Sequence, residues 1–198
     1  MAHRSQRLQE FLAATREAIA VRAGTNTPAA VAMRRVNASL DVPAPAGNRP
    51  EARTFPACTH LDAAIMGAMQ GPADIARVAG AVKDLAPELS WRLKPSEDPL
   101  FAHGHANADI LGSSLDALEQ RDDIRIGLSL MAPGITYPDH SHPPEEVYLT
   151  LSRGFWRNDA EAWREPGTGG IFYNPRGITH AMRSSSEPLL AIWCLPID

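Results

Sequence analysis

Two short stretches hold the residues whose types and spacing can do chemistry. The first runs Gly134-Ile-Thr-Tyr-Pro-Asp-His140-Ser-His142-Pro-Pro-Glu-Glu146-Val-Tyr148, and the second Gly169-Gly-Ile-Phe-Tyr-Asn-Pro175-Arg-Gly177-Ile-Thr-His180. Strand side chains alternate faces with a period of two, so His140 and His142 point to the same side. After the Pro143-Pro144 break the next strand alternates cleanly: Val147, Leu149 and Leu151 face one way, and Glu146, Tyr148 and Thr150 the other. A polar strand face that keeps Glu and Tyr predicts a barrel whose lumen carries chemistry instead of packed hydrocarbon. Three imidazoles and one carboxylate (His140, His142, His180 and Glu146) form a ligand set for one divalent transition metal such as Zn, Fe, Mn, Co or Ni. Whether His140 binds the ion directly or supports another ligand stays open at this level. The plainer alternative, ordinary polar residues at strand ends, suits a lone His-x-His better than two Gly-opened segments with ligands in orderly spacing.

The two segments resemble the paired motifs of the cupin superfamily: Gly, five residues, His-x-His, three residues, Glu; then Gly, five residues, Pro-x-Gly, two residues, His. Two departures touch loop detail and no ligand. The glycine that usually closes the first motif comes one residue late, at Gly154, and Ser184 stands where Asn is usual. Within the first motif, Tyr137-Pro-x-His140-x-His142-Pro-Pro-x-Glu146-x-Tyr148 is similar to the signature of cupin-type dimethylsulfoniopropionate (DMSP) lyases, and the helical N-terminal half fits the DddQ-like branch. The motif resemblance begins near Gly134; upstream it is one of general layout. It implies a bound metal that holds the carboxylate of a small zwitterionic sulfonium substrate, and a tyrosine that removes the α-proton to release dimethyl sulfide and acrylate. Carried over by position, the ligands are His140, His142, Glu146 and His180, and the base is Tyr148.

The residues support that chemistry in their own terms. Tyr148 lies two residues beyond Glu146 on the same face, which places its phenol close to the metal. A tyrosine of pKa about 10 is a poor base at neutral pH. A neighbouring divalent cation favours the phenolate and offsets the charge that develops when an α-proton leaves. The alternative is that Tyr148 only hydrogen-bonds a ligand. Tyr137 is a second candidate catalytic residue. Tyr137, Tyr173 and Trp193 are candidates to face a sulfonium through cation–π attraction, worth roughly 1–2 kcal/mol when desolvated. His103-x-His105, with Asp109 four residues on, reads as a solvated loop, and Arg176 and Arg183 read as solvated too. Two rival functions share the ligand set: a cupin Fe(II) dioxygenase, and a non-catalytic cupin that binds a small acid or sugar.

The elements that must position these residues follow from periodicity. A helix is predicted from Ser5 to Ala23, with Leu8, Phe11, Leu12 and Ile19 on one face and Gly24 as its stop. Asn26 to Met33 reads equally as helix or loop. Asp41 to Ala57, rich in Pro and Ala, is expected to run extended along the surface. Thr59 is the expected cap of a helix bearing Leu61, Ile65, Met66 and Met69; a second helix after Gly71-Pro72 carries Ile75, Val78, Ala79, Val82 and Leu85. The pair is expected to form a hairpin on the outside of the barrel. Strands are predicted at 89–93, 124–130, 155–156, 170–173, 179–183 and 189–195, with a loop from Lys94 through His105. The fold expected is mainly β: a single cupin (double-stranded β-helix, jelly-roll) barrel at 89–198, with an N-terminal α-helical layer at 1–88, together one compact unit.

Composition narrows the class. A chain of 198 residues with 21% charged residues and a formal charge of −4 gives no reason to expect nucleic acid or an anionic membrane as a partner. Its first residues lack the unbroken apolar run of a signal peptide, and no stretch is long enough to span a bilayer. Cys58 and Cys194, far apart in sequence, are expected as reduced thiols in the cytoplasm. Nothing in the sequence encodes the oligomeric state, which leaves a homodimer open.

Overall fold

The computed structural model describes residues 4–46 and 51–197; residues 47–50, in the middle of the stretch expected to run extended, lie outside it. Helix α1 (Gln6–Arg22) begins where the Ser5 hydroxyl accepts the Leu8 N–H at 3.2 Å. Its buried residues Leu8, Phe11, Leu12, Thr15, Ala18 and Ile19 recur at helical spacing. Helix α2 (Pro28–Leu40) resolves the undecided segment: Thr27 caps it by accepting from Ala30, and Pro28 takes the first turn, where a missing N–H costs nothing. Helices α3 (Leu61–Met69) and α4 (Ala73–Leu85) flank the Gly71-Pro72 break as expected.

The two pack against each other as the expected hairpin, but the pair is not the main helical cover of the barrel. α4 packs chiefly against α1 and α3, while α2 makes the main contact with the sheet. Ala29, Ala30 and Ala32, with Met33, Val36 and Leu40, form the buried side of α2. The start of α3 differs as well. A 3₁₀ turn (Pro56–His60) precedes it, and the Thr59 hydroxyl donates to the Pro56 carbonyl instead of capping. Leu61, Ala64, Ile65 and Ala68 form its buried face, which turns Met66 (51% exposed) and Met69 (37%) towards solvent.

The segment read as a loop before His105 contains a short helix, α5 (Pro99–Gly104), capped by Asp98. Residues 89–93 contribute only isolated bridges, Arg53 with Ser90 and Arg92 with Asn107. The strands are β1 (His105–Gly112), β2 (Glu119–Gln120), β3 (Ile124–Met131), β4 (Thr136–His140), β5 (Glu146–Thr150), β6 (Phe155–Asn158), β7 (Ile171–Asn174), β8 (His180–Arg183) and β9 (Leu189–Pro196). They form a six-stranded sheet, β2-β1-β3-β9-β5-β7, facing a three-stranded one, β4-β8-β6. This is the mainly β cupin barrel with a helical layer.

The large sheet is buried on both faces. Along β9, Leu190, Ile192 and Cys194 join the helices in one apolar cluster, while Leu189, Ala191, Trp193 and Leu195 face the lumen in another. Covering the outer face in this way leaves the inner face free to carry polar groups. Among the described residues, no helix is long and apolar enough to cross a membrane.

An ion-pair network fastens the helical layer to the sheet edge. The buried Arg121 guanidinium donates to Glu119 and Asp123, and also to the carbonyls of Ser39, in the last turn of α2, and of Val42 just beyond it. Arg4 donates to the same Glu119, at 2.6 and 2.9 Å. The Arg121 bond holds the Asp123 carboxyl down at about 2. Burial alone would raise Glu119, but bonds from Arg4 and Arg121 outweigh it and its pKa is lowered.

Arg121→Met therefore leaves a buried carboxylate short of a partner and two carbonyls unpaired. It should cost about 3–5 kcal/mol and lower the melting temperature by roughly 8–15 °C. Both carboxyls titrate lower folded than unfolded, so their stabilisation is complete above the unfolded values and is lost as pH falls towards about 2. Melting curves from pH 5 to 2 should show that loss in the parent and a much smaller one in the variant.

Candidate active site

The four expected ligands come from three strands and one turn. His140 ends β4 and His180 opens β8, where the two are paired directly across the ladder. A register shift between Tyr137 and His140 re-aims the end of β4. His142 follows in the turn before Pro143, and Glu146 opens β5 at 4% exposure. One nitrogen from each of the three histidines lies within 4.8 Å of the others. Glu146 Oε2 is 3.5 Å from His142 Nε2 and 3.4 Å from His180 Nε2. Donor atoms about 2.1 Å from a common tetrahedral ion stand about 3.4 Å apart, so the spacing suits a shared cation.

The outer ring nitrogens decide which atoms face inward. Nδ1 of His140, His142 and His180 lies 2.9, 2.9 and 3.0 Å from the carbonyls of Pro138, Pro144 and Ile178. A carbonyl only accepts, so each Nδ1 carries the hydrogen and each Nε2 presents a lone pair to the cluster. His180 Nε2 is buried without a hydrogen-bond partner. An orphaned acceptor beside two further lone pairs and a carboxylate fits a divalent metal, and His140 stands in the cluster with the other two imidazoles. Asn174, at the end of β7, donates to Glu146 Oε2 at 2.8 Å and fixes that carboxylate from behind.

The electrostatics agree. Burial would raise the Glu146 carboxyl, but the His142 and His180 rings beside it outweigh this and bring it to about 2, so it is ionised. Burial, then the neighbouring His180 ring, which disfavours a second charge beside it, pushes His140 down to about 4 and keeps it neutral. For His142 burial works the same way, but the Glu146 carboxylate prevails and its pKa is raised.

Tyr148 is buried on the lumen face of β5 with its hydroxyl against Glu146; burial, then the Glu146 charge, drives its pKa well upward. The ring of Tyr137 stacks on His140 with centroids 4.1 Å apart, and its oxygen accepts from Lys94 Nζ at 2.6 Å. Both tyrosines and Trp193 line a cavity of about 400 Å³ that opens onto the histidines. Trp193 fits there because Gly127, opposite it on β3, has no Cβ to meet its ring.

Tyr173 is a correction. On β7 it alternates with Phe172 and Asn174, which face the lumen, so it turns the other way, packs beside the helical layer and donates its hydroxyl to Glu145 at 2.6 Å. It does not line the cavity. His105 is another: far from a solvated loop, it opens β1 at 1% exposure, stacked on Phe101 and edge-on to Tyr137. Its partner His103 is exposed, as expected. Asp109 is buried too, paired with Arg92 at 2.6 Å and Arg125 at 3.0 Å. The signal for this strand was present: His105, Asn107 and Asp109 alternate with Ala106, Ala108 and Ile110. Arg183 lies over the rings of Phe155 and Trp163, and Arg176 is exposed. Ser184 occupies its unusual motif position by donating to the Ala132 carbonyl and accepting the Ile135 N–H, which pins the loop around Gly134.

Fold and donor set together define a single-barrel cupin with a transition-metal type of ligand cluster. A family model described as dimethylsulfoniopropionate lyase matches residues 28–191. A Cereibacter sphaeroides protein, named provisionally as the DMSP lyase DddL, is 32% identical over 169 residues, which cover 79% of this chain and 67% of that protein. The DMSP lyase DddQ of Ruegeria pomeroyi is 31% identical over 72 residues, 36% of each. The crystal structure of DddQ from that organism overlays with a TM-score of 0.69 at 20% identity, covering 98% of this chain and 93% of the other. The fold is thus shared well beyond the stretch where the residues are. The chain belongs to the DMSP lyase family, and with it to the carbon–sulfur lyases.

Asn174→Ala removes the bond that orients Glu146 and should weaken metal binding about 10–100-fold. Competition with a chelator of known affinity measures this, and an unchanged melting curve of the metal-free variant separates it from misfolding.

Proposed function

We propose that this chain cleaves DMSP to dimethyl sulfide and acrylate by β-elimination, with Tyr148 as the base. The observation that carries the proposal is the burial of the Tyr148 hydroxyl against Glu146, beside three imidazole lone pairs aimed at one point. A divalent cation held by His140, His142, Glu146 and His180 would supply Lewis acidity, favouring an ionised phenol and offsetting charge on the substrate carboxylate. Without that charge the phenol is a poor base, because burial and Glu146 both favour its protonated form.

Tyr148 takes the proton from the carbon next to the carboxylate. The electrons of that C–H bond form the carbon–carbon double bond of acrylate, and the bond from the β-carbon to sulfur breaks with its pair leaving on neutral dimethyl sulfide. No electron is gained or lost overall, so Zn, Fe, Mn, Co or Ni would each serve.

Tyr137 and Trp193 are proposed as cavity walls around the substrate, with one restriction. Lys94 stands 4.8 Å over the Tyr137 ring and Arg125 5.4 Å over that of Trp193. A ring face already holding a protein cation repels a second, so the sulfonium must use other faces, that of Tyr148 among them. A cytoplasmic location is proposed as well, in keeping with two free thiols, Cys58 and Cys194.

Tyr148→Phe should cut dimethyl sulfide release at least about 100-fold while metal content stays near the parental level. Headspace assay of metal-loaded protein with DMSP, beside a chelator-treated control, measures it. Acrylate formation at the parental rate in this variant would remove Tyr148 as the base.

A further inference from the structure

Part of the cavity wall is cationic: Arg92, Lys94 and Arg125 all line it. Two of the three are already engaged. Arg92 donates to Asn107 at 2.6 Å and pairs with Asp109, and Arg125 pairs with the other oxygen of the same carboxylate. Lys94 is different. Among the described residues no carboxylate pairs with it, and its hydrogen bond runs to the neutral Tyr137 hydroxyl. Half-buried, it loses hydration; burial lowers its pKa, and the Glu146 charge only partly offsets this. A desolvated ammonium facing a cavity without a counter-ion is an anion-binding group waiting for its anion.

The hydrogen-bond polarity at Tyr137 sharpens the point. An ammonium has hydrogens to give and nothing with which to accept, so the phenol oxygen is the acceptor of the 2.6 Å bond. The phenol hydrogen is then free to point elsewhere, and two ammonium hydrogens remain. Ammonium and phenol side by side match the two oxygens of one carboxylate. The Tyr137 ring stacks on His140, which puts this pair next to the ligand cluster in the same cavity.

We propose that Lys94, with the Tyr137 hydroxyl, forms an anion subsite that anchors the carboxylate of a short-chain monocarboxylate and sets the cavity's preference for acids over their neutral analogues. The identification of that acid as DMSP or acrylate rests on the function proposed above; the subsite does not. Lys94 adds a contact for the carboxylate oxygen turned away from the His–Glu cluster.

The test is calorimetric titration of metal-loaded protein with propionate and with propionamide. Lys94→Met should weaken propionate about tenfold or more, whereas Lys94→Arg, which keeps the charge, should stay within about threefold of the parent. Propionamide should bind weakly and equally to all three. With DMSP as substrate, Lys94→Met should raise KM by a similar factor, with a smaller change in kcat. Metal content and melting curves check the variants, with Lys94→Gln substituting if the Met variant does not fold. Parental propionate affinity in a folded Lys94→Met or Lys94→Gln protein, or no propionate binding to the parent, overturns the subsite. A parent that binds propionate through Lys94 yet releases no dimethyl sulfide overturns the lyase proposal and leaves the subsite standing.

Discussion

One repeated interaction holds the site in order: the hydrogen bond from each histidine Nδ1–H to a backbone carbonyl of its own loop. For His140 and His142 the accepting carbonyl belongs to a proline, Pro138 or Pro144. Proline has a fixed φ, which narrows the local backbone conformations from which these carbonyls are presented. The prolines interleaved with the histidines thus have a chemical purpose, since they orient imidazoles as well as break strands. With Nδ1 committed, three Nε2 lone pairs and one carboxylate are left converging, an arrangement that only a cation or a shared proton can satisfy.

Keeping so polar a lumen requires that stability come from elsewhere. The outer face of the large sheet supplies it, where alternate residues of β1, β3, β5 and β9 merge with α1 to α4 into one apolar cluster. The inner cluster around Trp156, Phe172 and Met182 is smaller and lies beneath Tyr148. Polar groups in the barrel are therefore backed by aromatic packing on one side and shielded by the helical layer on the other. A low local dielectric strengthens each charge interaction in the cavity and makes each unpaired one costly. Asp109 shows the consequence: fully desolvated, it is held between two guanidiniums.

The protein carries a net negative charge, yet its cavity is lined by more basic groups than acidic ones. Average charge says what the molecular surface repels; the cavity lining says what it selects. For the zwitterionic substrate proposed above, this field would turn the carboxylate towards the basic residues and the histidine cluster, and the cationic end towards free aromatic surface.

The barrel, the helical layer and the clustering of three histidines with one carboxylate were legible in the sequence, because each rests on local periodicity. Period-two alternation marks β3 and β5, helical spacing marks α1 and α4, and the glycines and prolines punctuate the two motifs. Met66, Met69 and Tyr173 were misplaced because composition does not say which neighbour a given face will meet. His105 and Asp109 were read as solvent-facing because a buried charge or imidazole becomes affordable only once distant partners arrive: Arg125 from β3, and the rings of Phe101 and Tyr137. Which groups could do chemistry was written in the order of residues. Which atoms of those groups face each other, and that Lys94 meets no carboxylate among the described residues, was decided by long-range strand pairing, because sequence-distant segments meet only when the two sheets close.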